Sequence, residues 1–257
     1  MSPVPHGALF RVPPLPLAAL AGALSVLGFA PFGLYPLLIA TLALLVVLWQ
    51  RAGSRRHALL IGFIFGLGYF LSGVSWVYVS LHDFGAIPAP LAALLTLLFC
   101  CILAAYPAVI GYAYFALGTR SVLATVVVVP ALWTLADWVR GWLFTGFPWI
   151  ALGYSQVPAS PLAGYVPVLG VYGATFATAL TAGLVVTICA HPAVKVNRTR
   201  LLSFILHPSS FILAFLWIGG YLLQQIAWTT PLGTPLSVSL LQGNIPQEMK
   251  WRADRVT

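Results

Sequence analysis

The sequence predicts an all-α polytopic membrane bundle of about seven transmembrane helices, followed by one β-strand that begins a second domain. Three observations carry this. Apolar residues make up 61% of the chain and charged residues 6%, with a mean hydropathy of +0.99. A water-facing domain carries about 25% charged residues. Long stretches hold no Asp, Glu, Lys or Arg at all: Arg11 to Arg51, Arg56 to Asp83, Asp83 to Arg120, Arg140 to Lys195 and Arg200 to Glu248. One crossing needs about 20 apolar residues, so several runs hold one crossing and some hold two. Finally, "PLSVSLL" near the end alternates in the period of a strand.

Helices are expected at about 15–29, 34–50, 58–80, 89–117, 121–141, 163–189 and 208–228. The first also fits a signal peptide, because Arg11 precedes a short apolar core with "AGA"; the apolar pattern resumes at once after "APFG", which favours a membrane helix. Pro31, Pro88, Pro130 and Pro148 fall at expected ends or kinks, where membrane helices tolerate proline. The domain division follows: 1–232 helical, 233–257 the beginning of a further domain.

Charge sets the expected orientation. With an inside N-terminus, the inside segments hold Arg11, Arg51, Arg55, Arg56, Arg120, Lys195, Arg198 and Arg200, against Arg140 alone in the outside loops. Basic residues mark the cytoplasmic side, and an odd number of crossings puts the C-terminus outside. The net charge of +8 is therefore a topology signal. No basic patch has nucleic-acid spacing, so no nucleic-acid partner is expected.

Neither metal nor cofactor is expected. Cys100, Cys101 and Cys189 lie in expected helices, without CxxC or Cys/His ligand spacing. Adjacent helical residues point about 100° apart, so Cys100 and Cys101 share no ligand face. The five histidines make no ligand pair.

Polar and small residues point to packing and to an outer face. Gly62, Gly66 and Gly73 form one helical stripe, which lets membrane helices approach closely. Trp76 and Tyr78 precede His82, Asp83 and Phe84, an aromatic belt at the outer end. In "PALWTLADWVRGWLFTGFPWIALGYSQ", Trp133, Asp137, Arg140 and Phe144 fall on one expected helical face. Asp137 and Arg140 have the spacing of a pair. Two roles remain open for them: a structural ion pair near the interface, or a phospholipid headgroup site in which the guanidinium meets the phosphate. The following residues are too apolar for a water loop and too broken by Gly and Pro for a crossing. Trp142, Phe147, Trp149 and Tyr154 mark a segment folded back into the interface. Such a segment must be covered by protein or line a cavity, and a lipid-accessible cavity is expected there.

In the tail, Leu236, Val238 and Leu240 alternate with Ser237 and Ser239, and "GNIP" is turn chemistry. One strand is not stable alone, so it needs a sheet beyond itself.

The blocks "SGVSWVYVSLHDFG", "PALWTLADWVRGWLFTGFPWIALGYSQ" and "LLQGNIPQEMKW", in that order, resemble the apolipoprotein N-acyltransferase family of the bacterial inner membrane. The resemblance implies membrane helices carrying a periplasmic nitrilase-like αββα domain, with "VSLLQGNIPQ" as its first strand and the C-terminus periplasmic. It implies transfer of an acyl chain from a phospholipid donor to the N-terminal diacylglyceryl-cysteine of an apolipoprotein, through a Glu–Lys–Cys triad whose Cys forms a thioester. No triad residue can be matched here, so the chain as given is expected to be inactive alone. The resemblance further implies that Trp149, Gln247 and Trp251 lie near the substrate entrance, and Trp suits a boundary between acyl tail and polar head. Two other readings are a transporter, against which stand few intramembrane charges and no inverted repeat, and a non-catalytic scaffold whose C-terminal strand pairs with a partner.

Overall fold

A computed structural model describes residues 13–118, 121–190 and 207–244. It is helical throughout its ordered elements. Helix α1 is Pro14–Ser25, continued by a 3-10 turn over Val26–Gly28, and α2 is Tyr35–Gln50. Helix α3 is Arg55–Val74, after which the short α4, Trp76–Val79, and a π turn, Ser80–Phe84, prolong the same helical path. Then come α5, Ala89–Ala116, and α6, Val129–Arg140, which is preceded by a π turn over Ala124–Val128. Helix α7 is Val166–Ala190 with a 3-10 turn, Pro161–Tyr165, before it, and α8 is Pro208–Gln224.

Local chemistry explains the ends. Proline stands in the first turn of α1, α2, α5, α6 and α8, where its missing N–H is no loss. The Ser54 hydroxyl caps α3 by accepting from the His57 amide at 3.2 Å. Gly170, at φ 66°, breaks the first turn of α7.

Helical segments stand close to where the apolar runs predict them, but membrane-spanning length is rarer than seven. Among the described residues, three helices are long and apolar enough to cross a membrane: Arg55–Val74, Ala89–Ala116 and Pro161–Ala190. Pro14–Gly28, Tyr35–Gln50 and Pro208–Gln224 are apolar but shorter. Helix α6 itself is 12 residues, and the π turn before it carries the helical path back so that it runs over residues 122–140. The expected strand at 236–241 is not formed. Residues 227–244 hold neither helix nor strand, and Leu236, Val238, Leu240 and Leu241 are exposed. No second strand exists among the described residues to complete a ladder.

The glycine stripe does pack. A Cβ on Gly62 would collide with the Pro107 carbonyl, and one on Gly66 with Pro107 and Ala104, so α3 and α5 touch backbone to backbone. Gly22 of α1 meets the Phe65 carbonyl of α3, and Gly68 of α3 meets the Ala19 carbonyl of α1. Small residues thus draw α1, α3 and α5 together, and dispersion across these close contacts holds them. Around this layer lies a core of Leu38, Leu42, Leu45, Trp49, Ile61, Phe65 and Trp133. Trp49 is fully enclosed, and its indole N–H donates to the Ala58 carbonyl at 3.1 Å. Buried polar groups are paired across helices: Ser25 with Thr41 at 2.7 Å, and Tyr114 with Thr125 at 2.7 Å beside Gln50. Helix α7 packs on α6 and α2, and α8 on the turn before α7, where Gly164 and Gly220 meet closely.

Candidate functional site

Trp133, Asp137 and Arg140 share the buried face of α6, as their spacing predicts. Phe144 does not join them. The helix ends at Arg140, and Phe144 lies beyond it at φ 53°, 85% exposed. The Asp137 and Arg140 side chains are 2.8 Å apart, and the two residues are 4% and 3% exposed.

A segment folded onto this pair takes up nearly everything it offers. The second guanidinium nitrogen, Nη1, donates to the carbonyls of Phe147 at 2.8 Å and Trp149 at 2.6 Å. The Phe147 amide donates back to the Arg140 carbonyl at 2.8 Å. Asp137 Oδ2 accepts from the Leu152 amide at 3.1 Å and from the Thr175 hydroxyl of α7 at 3.2 Å. The Gly153 amide donates to that hydroxyl at 3.0 Å. From α3, the Tyr69 hydroxyl donates to the Ile150 carbonyl at 2.6 Å, and the Phe70 ring lies 5.5 Å from the guanidinium carbon. Buried backbone outside regular helices must have its polar groups met by other protein groups, and one ion pair with two neighbours does this here. Charge-assisted bonds to carbonyls are about twice as strong as neutral ones.

The turn is tight. Phe144, Thr145 and Gly146 have φ of 53°, 74° and 84° in succession. A Cβ on Gly146 would meet the Gly141 carbonyl, so glycine is required there on both counts. Beyond the turn, Trp149 faces outward while Phe147 packs inward. Trp149 is 49% exposed, and its indole N–H donates to the Gly73 carbonyl at 3.2 Å. Its ring lies 5.3 Å from that of Trp76, while Phe147 packs edge-on against Phe99 of α5 at 4.9 Å.

Beside the segment, a cleft of about 400 Å³ runs between α5 and α6. Ile102, Tyr106 and Val109 line it from α5, Leu135 and Val139 from α6, and Phe144 from the folded segment. Its walls are almost wholly apolar, and its size is in the ~300–1,000 Å³ range of ligand pockets.

The structure therefore brings Asp137, Arg140 and Trp149 together in unequal roles. The charged pair faces inward and holds backbone; Trp149 faces outward. Gln247 and Trp251 lie outside the described residues. Sequence reasoning missed Thr175, Tyr69 and the Gly73 carbonyl. Thr175 and Tyr69 carry no local mark, because their partners are 38 and 81 residues away. Gly73 is legible in the sequence only as packing, and it does pack, against Ile150. The cysteines share no site: Cys100 is buried, Cys101 half-buried and Cys189 exposed.

This loop and its partners fall within residues 21–184, which match the family model described as the apolipoprotein N-acyltransferase N-terminal domain. The chain belongs to the apolipoprotein N-acyltransferase family. A relative named apolipoprotein N-acyltransferase in Nitrosomonas europaea is 47% identical over 241 residues, covering 93% of this chain and 46% of its own length. One of the same name in Chromobacterium violaceum is 39% identical, with 93% and 44% covered. Another, in Coxiella burnetii, is 40% identical, with 93% and 47% covered. The chain thus spans about half the length of the curated apolipoprotein N-acyltransferases it matches. Asp137, Arg140 and Trp149 lie inside the matched N-terminal domain of the family; Gln247 and Trp251 lie beyond it.

Proposed function

We propose that this chain supplies the membrane region of an apolipoprotein N-acyltransferase, which moves an acyl chain from a phospholipid to the N-terminal diacylglyceryl-cysteine of a lipoprotein. The carrying observation is the folded segment 141–156, pinned by Arg140 and Asp137, with outward Trp149 on one side and the apolar α5–α6 cleft on the other. In this reading an acyl tail of the phospholipid lies in the cleft, and Trp149 with Trp76 stands where tail meets headgroup, a place suited to an amphipathic ring. Asp137 and Arg140 are positioning residues that hold the segment at its depth. Gln247 and Trp251 are proposed for the same entrance on the family resemblance alone.

The finer topology belongs to this proposal too. Seven crossings, including the shorter α1, α2, α6 and α8, put the N-terminus in the cytoplasm and the tail in the periplasm, supported by the eight-to-one basic asymmetry. Residues 233–257 begin a nitrilase-like domain whose sheet orders the 236–241 strand. The thioester step is assigned to that domain. No specific observation favours a transporter or a scaffold.

The test is a chimera in which this chain replaces the matching half of the Nitrosomonas europaea relative. Product formation on a diacylated lipopeptide is followed by mass spectrometry. Trp149→Ala should lower the rate at least tenfold, and Trp228→Ala, another exposed tryptophan, should not. Wild-type rates for a well-inserted Trp149→Ala chimera would remove Trp149 from the substrate path.

A further inference from the structure

Two helices take hold of successive carbonyls in the folded segment. Arg140 of α6 donates to that of Trp149 at 2.6 Å, and Tyr69 of α3 donates to that of Ile150 at 2.6 Å. Between the two peptide planes stands Ile150, with φ 49°. A β-branched residue at positive φ is a genuine backbone outlier, and such a conformation persists only where its surroundings hold it. Helix α3 supplies that hold, on the backbone and on the side chain of Ile150 alike. Tyr69 is 3% exposed, and the rings of Phe29, Phe65 and Phe70 pack around its own, with centroids 6.1, 6.1 and 5.1 Å away. Its hydroxyl therefore has a fixed place. One turn on, Gly73 leaves a notch, because a Cβ there would lie 2.7 Å from Ile150 Cδ1. The Gly73 carbonyl lies in the last turn of α3, where carbonyls lack helical partners, and it accepts the Trp149 indole N–H at 3.2 Å. Trp76, just beyond, packs its ring 5.3 Å from that of Trp149. Tyr69, Gly73 and Trp76 fall at i, i+4 and i+7, on one face of the helical path.

We propose that Tyr69 and Gly73 are positioning residues for Trp149: they hold Ile150 in the left-handed backbone region and thereby fix the direction of the neighbouring indole. Without the Tyr69 hydroxyl, the Ile150 carbonyl loses its donor and the residue is free to return to an ordinary φ. That rotation turns the adjoining peptide and draws Trp149 off the Gly73 carbonyl. A side chain beyond Cα at position 73 does the same from below, by pushing Ile150 out of its notch. The bearing on catalysis rests on Trp149 standing at the substrate entrance; the positioning itself does not. An entrance ring that is no longer held in one direction binds the lipid less well, without touching the reacting atoms, so KM rises while kcat holds.

The purified 257-residue chain carrying 5-fluorotryptophan is read by fluorine NMR in detergent, the Trp149 line being the one absent from Trp149→Phe. Tyr69→Phe should shift or broaden that line and leave the line of Trp217, on α8, in place. Gly73→Ala should act likewise, because its methyl meets Ile150 Cδ1; Gly73→Ala/Ile150→Val lacks that atom and should return the line to its wild-type position. In the chimera, Tyr69→Phe and Gly73→Ala should each raise KM for the phospholipid at least threefold with kcat within twofold, and the double variant should recover. A Trp149 line unmoved in folded Tyr69→Phe and Gly73→Ala overturns the proposal, and so does a line that Ile150→Val fails to restore. If Tyr69→Phe does not fold, the Gly73→Ala and Gly73→Ala/Ile150→Val spectra decide; if Gly73→Ala does not fold, Tyr69→Phe decides. A line that moves while the chimera keeps its wild-type KM supports the positioning and takes Trp149 off the substrate path.

Discussion

Arg140 donates a 2.6 Å hydrogen bond to the backbone carbonyl of Trp149, so a cation facing inward fixes a tryptophan that faces out. The bond is one of three that the guanidinium makes at once, to Asp137, Phe147 and Trp149. A lysine would keep the charge but lose the fork that spans both carbonyls and the carboxylate. Arg140→Lys should therefore lower the unfolding midpoint and open the 141–150 segment to protease. Arg140→Gln should cost more, on the order of 3–5 kcal/mol, because it strands Asp137 as a buried unpaired charge. In the double variant Arg140→Gln/Asp137→Asn the loss should be smaller than the sum of the two single losses, the mark of direct coupling. Additive losses in thermal unfolding would show the two residues to act independently.

Gly62→Ala should destabilise the bundle by about 1–3 kcal/mol, the usual range for overpacking. The new methyl would meet the Pro107 carbonyl, which is backbone and cannot swing aside. Gly53→Ala, where nothing lies near the added atom, is the control and should be close to neutral. Unfolding in mild detergent measures both.

Much of this architecture is legible in the sequence, and what is not has physical causes. Apolar runs locate the helices because burial in lipid demands them. The Gly62–Gly66 stripe reads correctly as packing. Phe144 is misplaced by its spacing, because spacing alone cannot say where a helix stops, and the positive φ values after Arg140 are set by what the loop binds. Trp49 stands at the end of α2 without any local sign of burial, yet Tyr114 and Trp133 close around it from α5 and α6. The Asp137–Arg140 pair is visible from its spacing. Its task is not, since the carbonyls it holds belong to residues whose fold depends on it. The tail pattern of Leu236–Leu241 fits a strand, but a strand is a property of a pair.

Cysteine labelling should place Ser54→Cys and Thr234→Cys on opposite sides of the membrane. The native cysteines are replaced first, because Cys189 is exposed. An impermeant maleimide added to intact spheroplasts should react with Thr234→Cys only. Reaction at both positions from the same side would exclude an odd number of crossings between them.

The 257-residue chain by itself should form no N-acylated product. A thioester mechanism needs a thiolate held beside a base. Cys100 and Cys101 lie within α5 and Cys189 within α7, and no Lys, Arg or His lies within one turn of either α5 cysteine in sequence. His191, near Cys189 in sequence, lies outside the described residues. Product detected by mass spectrometry, and lost on replacing one of the three, would place a reactive thiol within the membrane helices and overturn this expectation.

Phe99, which meets Phe147, is ten residues along α5 from Ala89, a rise of about 15 Å at 1.5 Å per residue. On the other side, Gly73 holds the Trp149 indole while helical backbone continues on to Phe84. The α4–α5 corner is therefore a parapet, and the loop is a ledge at its foot. Leu91, Leu94, Leu95 and Leu98 give the parapet a greasy surface. If the loop lines a lipid path as proposed, a bulky polar body must first descend that wall, while a slender chain sliding in along α6 meets Phe144 at once.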